Sequence, residues 1–280
     1  MAQKLRSVWL EITGRCQLEC GHCYAGSGPT GTHGTMTADD WRRVIDQAAE
    51  AGIGMVQFIG GEPTLHPALP SLIEHALDRN LPVEVYSNLV HVRPVLWSLF
   101  ARPGVQLATS YYSDDADEHA AITGRRPTHA RTRANIAEAV RRGIPVRVGI
   151  IDVLDEQRVA QARAELDALG VTSIGTDRLR GIGRGGDGVP DVGELCGHCG
   201  DGRAAVLPDG GVSPCVMSRW MSAGNVRDHS LVDILEGSTM RELVSAVPAP
   251  VGVCNPQCKP SLGDGSDCAP AETPACKPKH

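Results

Sequence analysis

The sequence predicts an α/β fold, a parallel sheet with helices outside it, closed as a partial (β/α)6 TIM-like barrel and followed by a small cysteine-rich domain. Three observations predict this. Short apolar runs alternate with helical stretches through the first two thirds of the 280 residues. The ten cysteines fall into two separated sets. A glycine-rich run without apolar periodicity, GIGRGGDGVPDVG at 181–193, stands before the second set and reads as a loop or linker. The expected domains are therefore 1–188 and 189–280, with the boundary near Val189.

The elements follow in order. Residues 8–13 (VWLEIT) read as a buried strand. Thr37 is placed as the N-cap of a helix to Ala51, because Asp39 and Asp40 occupy the first turn, where the helix dipole favours negative charge. Strands are expected at 55–59, 83–87, 105–110, 146–153 and 171–176, with helices at 68–78, 94–101, 130–142 and 156–169. Gly143 and Gly170 stand as helix stops. The acidic stretch 113–118 (SDDADE) reads as a solvated loop. Further on, 203–216 suggests a hairpin around Asp209-Gly210, and 230–236 and 238–244 read as short helices. From Pro248 onward Pro, Gly, Cys and charged residues dominate; such a segment cannot build an apolar core and needs cross-linking to fold.

Composition limits the function. A net charge of −6 argues against a nucleic-acid binder, which needs a basic face. No apolar run is long enough to span a bilayer, and the first residues lack the apolar core of a secretory signal, so the expected location is cytoplasmic. Thiols stay reduced there, so ten cysteines call for an explanation other than disulfides.

Directly after the first strand, Cys16, Cys20 and Cys23 are spaced C-x3-C-x2-C. Four thiolates normally hold an iron–sulfur cluster, so three in one tight loop would leave one iron open to a ligand. A zinc knuckle lacking its fourth ligand, or structural thiols, would share this spacing. After the second strand comes Gly60-Gly61-Glu62-Pro63; alone it is a turn, but its glycines permit close backbone approach and its carboxylate could accept from an ammonium group.

In this pairing the sequence resembles the radical SAM superfamily. The resemblance implies that Cys16, Cys20 and Cys23 bind the SAM-ligating [4Fe–4S] cluster. It implies that His22 lies near the adenine, and that Gly60, Gly61 and Glu62 receive the amino group of S-adenosylmethionine. Ser87 and Asn88, at the end of the third strand, correspond to polar positions on the ribose. Ser110, Asp152 and Arg178 stand at later strand ends and are expected around the same mouth, since parallel barrels work at their C-terminal strand ends. The implied chemistry is reductive cleavage of S-adenosylmethionine to a 5′-deoxyadenosyl radical that abstracts a substrate hydrogen.

Cys199, Gly210 and Cys215 resemble the opening of the SPASM pattern, with Cys196 as an upstream thiol. The tail departs from it, giving Cys254, Cys258, Cys268 and Cys276 at other spacings. Seven thiols fall one short of two fully ligated auxiliary [4Fe–4S] clusters. Either one of two clusters has an open or non-cysteine ligand, or there is a single cluster, as in the shorter twitch variant. A zinc ribbon is the competing reading.

The resemblance implies an external one-electron reductant of flavodoxin or ferredoxin type. It favours modification of a ribosomally made peptide, by oxidative cross-link or epimerisation. Because Cys16 lies near the start of the sequence, recognition of that peptide is expected to need a separate protein or a direct groove. The alternative is small-molecule antibiotic biosynthesis, an epimerase or dehydrogenase on an aminoglycoside-like sugar, for which the acidic 113–118 stretch would suit a cationic substrate. A non-catalytic metal-binding scaffold is the third reading, disfavoured by the intact Gly60–Pro63 motif.

Overall fold

A computed structural model describes residues 7–200 and 202–248. Cys254, Cys258, Cys268 and Cys276 lie outside the described residues. Six parallel strands, β1 (Ser7–Thr13), β2 (Val56–Gly60), β3 (Val83–Tyr86), β4 (Val105–Tyr111), β5 (Val146–Asp152) and β6 (Ser173–Arg178), pair in chain order. The helices are α1 (Ala38–Glu50), α2 (Leu69–Asp78), α3 (Pro94–Phe100), α4 (Ala116–Thr123), α5 (His129–Arg141) and α6 (Val159–Ala168). The sheet does not close. Its free edges are β6 and β9, because it continues past β1 into β7 (Arg203–Val206), β8 (Gly211–Ser213) and β9 (Gly224–Asn225).

β7 pairs parallel to β1, with Ser7 opposite Arg203 and Leu10 opposite Val206. One sheet thus crosses position 189. The β7–β8 hairpin turns through Asp209-Gly210, and α7 (Leu231–Glu236) and α8 (Ser238–Ser245) follow.

Strand alternation explains the core. Val8, Leu10 and Ile12 of β1 face the helices and pack with Trp41, Ile45 and Leu72. Trp9, on the opposite face, joins Ile59 in a second cluster with Ile182, Cys199, Ala205 and Cys215. The C-terminal segment therefore packs against the face of the sheet that the helices leave uncovered, and β1 is buried on both sides.

On that inner face, polar residues form a floor. Arg147 forks onto buried Glu84 through two bonds of 2.7 Å, and Gln57 and Gln106 complete the carboxylate's partners. Removing one partner of such a pair strands a buried charge and costs about 3–5 kcal/mol.

α4 is a correction to the solvated loop expected at 113–118. Asp115 caps it by accepting from the backbone N–H groups of Asp117 and Glu118. Asp114 accepts two bonds from Arg158, and Glu118 accepts from the Arg158 backbone. The acidic residues are used for capping and ion pairing, which acidic composition alone does not reveal. β6 begins two residues later than expected, since Ser173 is the first residue to find a partner on β5, opposite Arg147.

Candidate active site

The C-terminal strand ends surround an open cavity. Cys16, Cys20 and Cys23 line it, as do His22, Gly60, Gly61, Asn88, Ser110 and Arg178. Met217, two residues after Cys215, lines it too.

The cysteine loop is shaped by its own backbone and by α4. Cys16 N–H donates to Gly28 O at 3.0 Å, and Cys23 N–H to Cys20 O at 3.2 Å. The carbonyls at the end of α4 accept from the loop: Ile122 O from Gly21 N–H and Thr123 O from Glu19 N–H, both 3.3 Å. Burial pushes the Cys16 thiol up to about 12, and the Glu62 charge adds to this. Burial likewise pushes Cys20 up to about 12. Thiols so placed become thiolates only against strong positive charge, which is what iron supplies. Among the described residues, no group of three or more His, Cys, Asp or Glu side chains gathers on a single metal ion. Three thiols lining one cavity, Cys16 buried and Cys20 and Cys23 half-buried, fit a cluster better than a lone zinc.

Gly60 has φ +128, and a Cβ there would lie 2.3 Å from Thr13 O, so only glycine lets β2 turn this close to β1. The turn is pinned by Gly61 N–H to Thr13 O at 2.7 Å and Glu62 N–H to Arg15 O at 2.8 Å.

Glu62 lies beneath the cavity wall and is 1% exposed. Its carboxylate accepts from Thr64 N–H, Thr64 Oγ1, Ser87 Oγ and Asn88 N–H at 2.7–3.0 Å. Burial still holds its pKa above the usual carboxylate value, although all four bonds pull it down. Glu62 and Ser87 therefore organise the third strand's end from below. Asn88, which they position, donates to Cys16 Sγ at 3.6 Å.

Ser110 Oγ meets Tyr86 Oη at 3.0 Å. His22 Nε2 is 3.1 Å from Tyr112 Oη, while its Nδ1 is buried without a hydrogen-bond partner. Burial, aided by the Arg184 charge, pulls His22 down to about 4, so its ring is neutral near pH 7. Asp152 ends β5 but is exposed and does not line the cavity.

Several cavity residues had no motif to announce them. Tyr112 and His119 stack edge to face at 5.4 Å, and His119 Nδ1 is also buried without a partner. Buried Asp177 accepts from Arg180 at 2.9 Å. Arg184, from the presumed linker, reaches the cysteine loop; a lone arginine among close-set glycines was its only signal.

The second cysteine set is partly described. Cys199 and Cys215 Sγ atoms lie 3.5 Å apart in the inner cluster, with no disulfide between them, and Cys196 is half-buried. Its neighbour's thiol holds Cys215 below the ordinary cysteine range against its burial. Among the described residues, no helix is long and apolar enough to cross a membrane.

Comparison with known proteins agrees with this geometry. Residues 10–167 match the family model of the radical SAM superfamily, and residues 196–259 match an iron–sulfur cluster-binding domain, SPASM. PqqA peptide cyclase of Xanthomonas campestris pv. campestris is 34% identical over 152 residues, covering 52% of this chain. The chain spans 39% of that relative's length. SuiB of Streptococcus suis, solved with S-adenosylmethionine, superposes with a TM-score of 0.71 at 14% identity, covering 87% of this chain and 68% of SuiB. BtrN, solved with AdoMet and 2-DOIA, gives 0.56 at 16% identity, covering 88% of each chain. At these identities the structural likeness concerns the fold alone. With the family model spanning more than half of its length, the chain belongs to the radical SAM superfamily, whose members bind a [4Fe–4S] cluster and S-adenosylmethionine, and it carries a SPASM domain for auxiliary iron–sulfur clusters.

Proposed function

We propose that the protein modifies a ribosomally made peptide by hydrogen abstraction at this cavity, most simply as an oxidative cross-link. The observation that carries the reading is the shared cavity, lined both by the three thiols and by Met217, two residues after Cys215 of the Cys199–Cys215 pair. A relative named PqqA peptide cyclase supports a peptide as the substrate class.

In this reading Cys16, Cys20 and Cys23 hold the initiating cluster, while Cys196, Cys199 and Cys215 hold an auxiliary one, completed from the tail. When bound, the reduced cluster and S-adenosylmethionine supply a carbon radical able to remove a hydrogen from a C–H bond. The chain's own residues do the rest. The Gly60–Gly61 turn admits a ligand close to the backbone. His22 lines the cavity with a neutral ring and, in this reading, lies beside the purine. Ser110 and Asn88 present hydroxyl and amide groups to the ribose side. Tyr86, Tyr112 and Ile151 narrow the cavity and exclude water. An electron donor of flavodoxin or ferredoxin type and a separate peptide-recognition protein complete the system, placed in the cytoplasm, with residues 1–188 and 189–280 as its functional units.

The sugar-modifying alternative loses its sequence motive, because the acidic 113–118 stretch is spent on capping α4 and on Arg158. The test is anaerobic turnover in deuterated water, using the reduced, cluster-loaded chain and a short precursor peptide encoded beside its gene. A peptide lighter by two hydrogens supports the proposal. One deuterium at carbon with unchanged composition means epimerisation, and 5′-deoxyadenosine formation without any change in the peptide would reject a peptide substrate.

A further inference from the structure

The segment read from sequence as a linker grips the first cysteine loop. Arg184 Nε donates to Cys20 O at 2.9 Å, its Nη2 to Ser27 O at 2.7 Å, and its backbone N–H to Cys23 O at 3.0 Å. Three carbonyls of the cysteine loop thus end on one residue far away in sequence. Its neighbours are adapted to this contact. Gly183 has φ +61, and a Cβ there would sit 2.3 Å from Tyr24 O and 2.5 Å from Cys23 O. Any other residue would push the arginine off the loop.

A guanidinium suits the task because its planar fork can bridge two acceptors at fixed geometry, which an ammonium cannot. It also brings a permanent positive charge to the cavity wall that bears the thiols. The same segment reaches toward the second cysteine set: Gly181 N–H donates to Glu194 Oε2 at 2.9 Å and Arg180 to Glu194 O at 3.1 Å, two residues before Cys196.

We propose that Arg184 is a positioning residue for the initiating cluster, clamping the Cys20–Ser27 backbone through its fork and raising the cluster's reduction potential through its charge. The inference rests on the reading that Cys16, Cys20 and Cys23 hold that cluster. A positive charge favours the more negative, reduced state, and groups outside the ligand set are known to tune clusters in this way. Reduction by a weak cellular donor then becomes easier, with no change in ligands.

The test compares the full wild-type chain with Arg184→Lys and Arg184→Gln. Hydrogen exchange of the metal-free proteins reads the clamp: amides of residues 16–28 should exchange faster in both variants, while the rest of the sheet is unchanged. An EPR-monitored redox titration of the anaerobically loaded proteins reads the charge. The lysine variant should keep a potential near wild type. In the glutamine variant the reduced fraction at fixed solution potential should fall about tenfold, ~59 mV for a one-electron couple. Unchanged exchange in both variants overturns the proposal, and so does a glutamine variant that titrates like the lysine one. If the glutamine variant does not take up iron, the metal-free exchange decides alone. A chain carrying Cys16→Ala/Cys20→Ala/Cys23→Ala that keeps a cluster signal perturbed by added S-adenosylmethionine would instead reject the ligand assignment, and the exchange result would stand apart from it.

Discussion

The two cysteine sites are built in opposite ways. Cys16, Cys20 and Cys23 come from one short loop, and distant elements then mould its backbone: the end of α4, the Gly60–Gly61 turn and Arg184. Cys199 and Cys215 come from either side of β7 and β8, and what brings them to 3.5 Å is the pairing of β7 with β1 and of β8 with β7. In the first site burial drives Cys16 and Cys20 up, toward the protonated form. In the second a neighbouring thiol holds Cys215 down. A local loop needs external clamps to hold a geometry. A site assembled across a sheet inherits its geometry from the sheet.

The largest test of this contrast removes one site and watches the other. Cys16→Ala/Cys20→Ala/Cys23→Ala should reduce 5′-deoxyadenosine formation to background, while iron bound through the C-terminal thiols remains; iron analysis and chromatography check both halves. Loss of all iron would show that the sites are not independent.

Next in size, Cys199→Ser/Cys215→Ser should lower the iron content and the anaerobic Tm together, because metal binding there also supplies folding energy. Cleavage of S-adenosylmethionine should continue. If it stops, the sheet transmits the second site's geometry to the first more strongly than the contrast allows.

A smaller effect is expected at Glu62. Glu62→Ala leaves three backbone or hydroxyl groups of Thr64 and Ser87, and the Asn88 N–H, without their acceptor, and an unsatisfied buried donor costs about 1–3 kcal/mol. Part of this relaxes, so a loss of about 3 kcal/mol in a urea melt is expected, with Glu62→Gln losing less.

The last effect is a pH dependence to which two cavity histidines contribute, alongside buried His66. His22 is half-buried and His119 buried, and desolvation draws both from 6.5 to about 4. Between those values the unfolded chain binds protons that the folded rings refuse, so this stability is present above pH 6.5 and is lost as pH falls toward 4. Melts of the metal-free chain across this window should show the loss, and His119→Phe should flatten it. An unchanged slope would mean that the ring is solvated.

Much of this was legible in the sequence because its signals were local. The C-x3-C-x2-C loop and the Gly60–Glu62 turn carry their chemistry within a few residues, and alternating apolar runs with Thr37, Gly143 and Gly170 mark the ends of elements. What only the tertiary structure decided was non-local. Glu62, expected to meet a ligand directly, is saturated by Ser87, Asn88 and Thr64, since strand order sets the end of β3 against that of β2. The acidic 113–118 stretch became a helix because Arg158 and an Asp115 cap were within reach. The glycine run at 181–186 lies against the cysteine loop, where Arg184 donates to Cys20 O and Ser27 O. A motif records which groups are chemically able; which of them face a cavity, and which support it from beneath, depends on contacts between residues far apart in the chain, and no local pattern encodes those.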